Sequence, residues 1–174
     1  MSSSFTAYDG TIVHAQGALR TLFHLIEMAE QQPNADALIE ARIHETMNPL
    51  KFQFFVITHL VERMLQMLAG REPVGSQDEV ASYAGAKDLI QRLLTALDEA
   101  DKDTVNRNGP VITTMKLGLV ELTKSGTEIT TTMIIPNIFF HVSTTYAILR
   151  KEGVPLLKKD YLYAFLHQGI LPVQ

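Results

Sequence analysis

The chain has 174 residues, 46% apolar and 20% charged, and no cysteine, which fits one globular domain and excludes disulfide scaffolds, cysteine-ligated metals and thiol nucleophiles. Fifteen basic against nineteen acidic residues give a formal charge of -4 without a basic cluster for a phosphate backbone, so no nucleic-acid partner is expected. Met1-Ser2-Ser3-Ser4-Phe5 has neither the charged nor the apolar region of a signal peptide, and no segment reaches about 18 uninterrupted apolar residues, so a cytoplasmic protein away from the membrane is expected.

A single domain is expected over 1–174. Asp9 precedes Ile12, Ala15, Leu19, Leu22 and Ile26 at three- and four-residue steps, predicting a first helix over about 10–32, capped by Asp9 and ended before Pro33. Residues 34–46 read as a short helical or irregular connection. Pro49 suits a first helical turn and Gly70 a stop, so a second helix is predicted over about 49–69. Beyond the breaker-rich loop from Arg71 to Ser76, a third helix over about 78–99 carries Tyr83, Leu89, Ile90, Leu93, Leu94 and Leu97, with Ser76 or Asp78 as its cap. The period then changes. β-Branched residues from Val111 to Thr123 and from Thr127 to Met133, around Lys124-Ser125-Gly126, predict a β-hairpin over about 111–133. Pro136 opens a fourth helix over about 136–151, stopped at Gly153, and an apolar tail occupies 156–174. The expected class is mainly α: an up-down four-helix bundle with a β-hairpin inserted between helices three and four.

Helix four is apolar almost all the way round, which predicts burial, so its polar side chains need partners. At about 100° per residue, Asn137, His141, Thr144 and Ile148 share one stripe. Asn137 and His141, four apart, suit one ion or one polar ligand; equally, they satisfy each other or a hairpin carbonyl inside the core. His59 on helix two flanks the apolar stripe of Val56, Leu60, Met64 and Met67, a position that fits a pocket wall or an ordinary surface histidine. Gln53 points into the middle of that stripe and is expected to be a buried amide with structural partners. His44 and Glu45 precede helix two and can reach an opening at its start. His24 is expected in solvent, His14 on a flank, His167 in a lid or on the polar edge of the tail, and Asp160 in a turn. No GxSxG, Walker or GxGxxG motif is present, so serine hydrolases, nucleotide kinases and Rossmann oxidoreductases lack local support.

The stretch from Ile135-Pro136-Asn137-Ile138-Phe139-Phe140-His141 to Arg150-Lys151-Glu152-Gly153-Val154-Pro155-Leu156 resembles the C-terminal signature of the DUF1993 family, which is similar to the DinB/YfiT group of four-helix bundles. Tyr8-Asp9, Met47-Asn48-Pro49-Leu50 followed by Gln53, and the hairpin ahead of the signature extend the resemblance over most of residues 5–162. Residues 163–174 run past the usual family end. The resemblance implies a DinB/YfiT-like bundle, a homodimer, and a divalent metal on three histidines, one late in helix two and two as HxxxH on the last helix. On that pattern His141 matches the second histidine of HxxxH, Asn137 stands at the first, and His59 matches the histidine of helix two. An amide at 137 is a weaker ligand than histidine and lowers affinity for Zn²⁺ or Ni²⁺.

Three functional readings follow. The first is a small-molecule enzyme, of the kind found in secondary metabolism, that isomerises, dehydrates or cyclises its substrate between helices two and four. There His59 and His141 act as acid and base, Asn137, Tyr146, Thr144 and His44 bind substrate, and no cofactor is needed. The second is a DinB-like metal-dependent hydrolase or transferase with Zn²⁺ or Ni²⁺ on His59, Asn137 and His141. The third is a non-enzymatic dimeric bundle that binds an apolar ligand. Convergence of polar groups on an otherwise buried helix favours the first.

Overall fold

The computed structural model describes residues 5–75, 80–117 and 119–167. Helix α1 (Ala7–Glu30) begins ahead of its expected start because Thr6 caps it. The Thr6 hydroxyl accepts from the Asp9 N–H at 3.4 Å, and the Asp9 carboxylate accepts from the Thr6 N–H at 2.9 Å. Asp9 therefore closes a capping box instead of serving as the cap. Thr6, first through its hydroxyl, and then Lys102 hold the Asp9 carboxyl down at about 2.

After the short α2 (Ala35–Leu38), helix α3 (Leu50–Ala69) starts on Pro49 and ends at Gly70, whose φ of 66° lets its N–H close on the Leu65 carbonyl. Helix α4 (Tyr83–Asp98) is capped by Ser82, which accepts from the Gly85 N–H at 3.1 Å. Ser76 and Asp78, the caps expected from sequence, lie outside the described residues. Just past the end of α4, Asp101 accepts from the Thr104 N–H at 2.7 Å and starts a further short helix that the sequence does not announce, α5 (Lys102–Asn108).

The hairpin is shorter than the sequence predicts. Strands β1 (Ile112–Leu117) and β2 (Val120–Ser125) pair antiparallel from Ile112 opposite Ser125 to Leu117 opposite Val120. At Ser125 a second capping box takes over: its hydroxyl accepts from the Glu128 N–H at 3.2 Å and Glu128 accepts from the Ser125 N–H at 3.1 Å. The β-branched run 127–133 is consequently helical. Helix α6 (Gly126–Ile129), a π-helical turn (Thr130–Ile134) and α7 (Ile135–Lys151) follow one another without a break. In that turn the Ile135 N–H reaches back to the Thr130 carbonyl. This wider closure accommodates Pro136, which lacks an N–H, inside a continuous helix.

Helices α1, α3, α4 and α7 form the expected bundle, with α1 and α3 each packed on both α4 and α7. Their directions follow from contacts along their lengths. Phe54 meets Tyr83 and Arg71 meets Ala96 and Glu99, so α3 and α4 run parallel. Arg20 meets Asp98 and Glu30 meets Lys87, so α1 opposes α4. Gln53 meets His141 and Gly126 lies against Leu68, so α7 opposes α3. The sense is up, down, down, up, so α3 and α4 run parallel in place of the strict up-down alternation that the sequence predicts. Gly126–Lys151 is long and apolar enough to cross a membrane, but Ile138, Val142, Ile148 and Leu149 are buried in the core with Ile12, Leu19, Phe54 and Leu93. The tail forms α8 (Lys158–Tyr161) and α9 (Tyr163–His167), both lying on α1. Residues 168–174 and the His167 side chain lie outside the described part.

Candidate functional site

The α3–α7 contact is centred on one polar pair. The His141 Nδ1 lies 2.7 Å from the Gln53 Oε1. Gln53 is buried, as its place on the α3 stripe predicts. Its Nε2 donates to the carbonyls of Asn48 at 3.0 Å and Pro49 at 3.1 Å, at the open start of α3. Those two bonds employ both amide protons, so Oε1 is the acceptor and the proton of the shared bond belongs to His141 Nδ1. The imidazole is thereby held as one neutral tautomer with its lone pair on Nε2. Burial pushes its pKa below the ordinary histidine value.

Phe52 and Phe140 flank this ring edge-on, with centroids 6.4 and 5.2 Å away. Phe52 in turn meets Phe55 at 5.8 Å, and Phe55 stacks on His59 at 5.7 Å. His59 and His141 thus stand at opposite ends of a row of aromatic contacts on α3. Burial lowers the His59 pKa as well, assisted by the Arg63 guanidinium and opposed by Glu62. Asn137 is half-buried one turn ahead of His141. Thr144 is buried and donates to the Phe140 carbonyl at 2.8 Å, which commits its proton to its own helix. Tyr146 packs on Tyr161 of α8 at 5.9 Å, and His44 is exposed in the connection before α3, bonded to Thr46 at 2.9 Å. The structure brings Gln53, Phe52 and Phe140 to His141; Tyr146 and His44 make their contacts elsewhere.

Among the described residues, no three His, Cys, Asp or Glu side chains come together in a way that could hold a metal ion. The donors on offer at the family pattern are two imidazoles and one amide, which do not fit a Zn²⁺ or Ni²⁺ centre. A different histidine proves to be built into the structure. His24, expected in solvent, places Nε2 3.1 Å from Asp160 Oδ1 and stacks on Tyr163 at 4.3 Å with 11° between the rings. Asp160, expected as a plain turn residue, also accepts from the Leu157 N–H at 2.7 Å. Burial raises its pKa, but that bond and His24 outweigh burial and leave it low. No local signal marks this pair, because its members meet only when the tail lies back on α1.

The sequence pattern of a domain of unknown function, DUF1993, matches residues 7–162. The chain belongs to the DUF1993 family. A crystal structure of a DinB family member from Shewanella denitrificans is similar, with a TM-score of 0.77 and 25% identity over 96% of this chain and 94% of that one. No curated protein matches the chain. The DUF1993 match includes Gln53, His59, Asn137 and His141, and it ends before α9.

Proposed function

We propose that this DUF1993 protein is a small-molecule enzyme in which His141 is the general base. The observation that supports this reading is the bond from His141 Nδ1 to Gln53 Oε1, which fixes the neutral tautomer with Nε2 free to take a proton. A neutral imidazole near pH 7 is the form that abstracts a proton, and depression of its pKa by burial keeps it in that form. The flanking Phe52 and Phe140 suit a largely apolar substrate. Asn137, one turn ahead of His141, is the substrate-orienting amide. The reaction class is proton abstraction next to a carbonyl, leading to isomerisation, dehydration or cyclisation.

Deuterium exchange at the acidic C–H of a β-dicarbonyl probe, followed by NMR, tests the proposal. The protein should accelerate exchange, and His141→Ala should lower the acceleration by at least ~100-fold. Equal rates in the variant would overturn it. EDTA treatment should leave the rate unchanged, whereas loss on chelation with recovery on adding Zn²⁺ would favour the metal-dependent reading instead.

A further inference from the structure

A cavity of about 370 Å³ lies between α1, α4 and α9, away from His141. That is enough for a compact aromatic ligand. Its walls divide chemically. Phe23 of α1, Leu94 of α4 and Tyr163 of α9 supply apolar surface, and Arg20, His24 and Glu27 of α1 supply charge and hydrogen-bonding capacity. These three polar residues differ in what already holds them. Arg20 pairs with Asp98 at 3.6 Å and His24 with Asp160 at 3.1 Å. Glu27 has no ion pair among the described residues, so its carboxylate is available to a ligand. Counting Asp98 and Asp160 behind their partners, the surroundings of this cavity favour positive charge in the occupant.

The wall from α9 is held in place by specific contacts. Tyr163 is stacked on His24, and His24 is anchored by Asp160. Two residues further on, Phe165 lies over Gly17, where a Cβ would come within 2.5 Å of its ring. Because the DUF1993 match stops at residue 162, this wall is supplied by sequence outside the matched region.

We propose that this cavity binds a small aromatic amine: a flat ring between Phe23, Leu94 and Tyr163, with its ammonium group on Glu27. The site is independent of the His141 reading. The chain contains no tryptophan, so an indole probe can be followed by its own fluorescence anisotropy without background from the protein. Tryptamine should raise its anisotropy saturably on titration with the protein, and the anionic analogue indole-3-propionate should bind more than threefold weaker. Glu27→Gln should weaken tryptamine by roughly threefold or more, in the range of a partly exposed ion pair. Tyr163→Ala, at a half-exposed position whose loss leaves the bundle core intact, should weaken it by about tenfold or more, for loss of the aromatic wall and of cation–π attraction. Unfolding curves of both variants matching the parent would separate these effects from misfolding. No saturable binding, equal affinity for the two indoles, or affinity unmoved by both substitutions would each overturn the proposal.

Discussion

Gln53 sets the chemistry available to His141, because it offers the imidazole an acceptor and not a charge. Replacing it with glutamate keeps the shape and puts a carboxylate against Nδ1. An adjacent negative charge favours the imidazolium, so Gln53→Glu should raise the His141 pKa, read from NMR titration of its ring protons, and reduce activity near neutral pH. A pKa unmoved by the substitution would mean that the pair is not formed as described. The parent protein carries its own pH signature. His59 and His141 both titrate below 6.5 in the folded state, so the unfolded chain takes up their protons first as pH falls. Their contribution to stability is complete above 6.5 and is lost as pH drops through the lower folded values. Melting temperature should therefore fall between about pH 7 and pH 5, and less steeply in His141→Gln; parallel curves would remove His141 as a cause. At this scale the sequence was partly legible. Helical spacing placed Gln53 inside and His141 on a polar stripe, but their pairing depends on the register of two helices separated by 88 positions along the chain.

Helices α1, α4, α5 and α6 begin where a side chain satisfies an orphaned N–H, and this explains both what the sequence disclosed and where it misled. Long amphipathic helices were legible from their apolar period and from Gly70 and Gly153. The junction at Ser125 was misread because β-branched residues at 127–133 suggest a strand, whereas the Ser125-Gly126-Thr127-Glu128 capping box commits the chain to a helix. Propensity is the weaker signal, since burial of Ile129 and Ile134 in the bundle overrides it. The π-helical turn that follows retains one unusual group: among the described residues, the buried Thr130 hydroxyl has no hydrogen-bond partner. Valine is the same shape without the polar atom, so Thr130→Val should stabilise the protein by about 1 kcal/mol. The check is an increase in the urea midpoint at unchanged slope. A decrease would show that the hydroxyl is satisfied in solution, for example by water.

Over the whole molecule, the C-terminal tail is the part whose docking the sequence conveyed least. Its apolar composition suggested that it covers something, but the surface it covers is defined by small residues and hydrogen-bonding groups distributed along α1. Thr21 donates to the Tyr161 carbonyl at 3.3 Å, Tyr163 stacks on His24, and Phe165 needs the space left by the missing side chain at Gly17 while also meeting Phe139 at 5.9 Å. Gly17→Ala sets two effects against each other. Alanine within α1 favours the helix by roughly 0.5–1 kcal/mol, but its Cβ removes the seat of Phe165. The bundle does not depend on that seat for its core, so the global melting temperature should stay level or rise while α9 loosens. Hydrogen exchange should show faster exchange in 163–167 with the protection of α3 and α7 unchanged. Phe165→Ala should loosen the same segment without the gain in helix propensity. If Gly17→Ala instead lowers protection across the bundle, the tail is part of one cooperative unit with α1; if α9 exchange does not change, Phe165 has another place to pack.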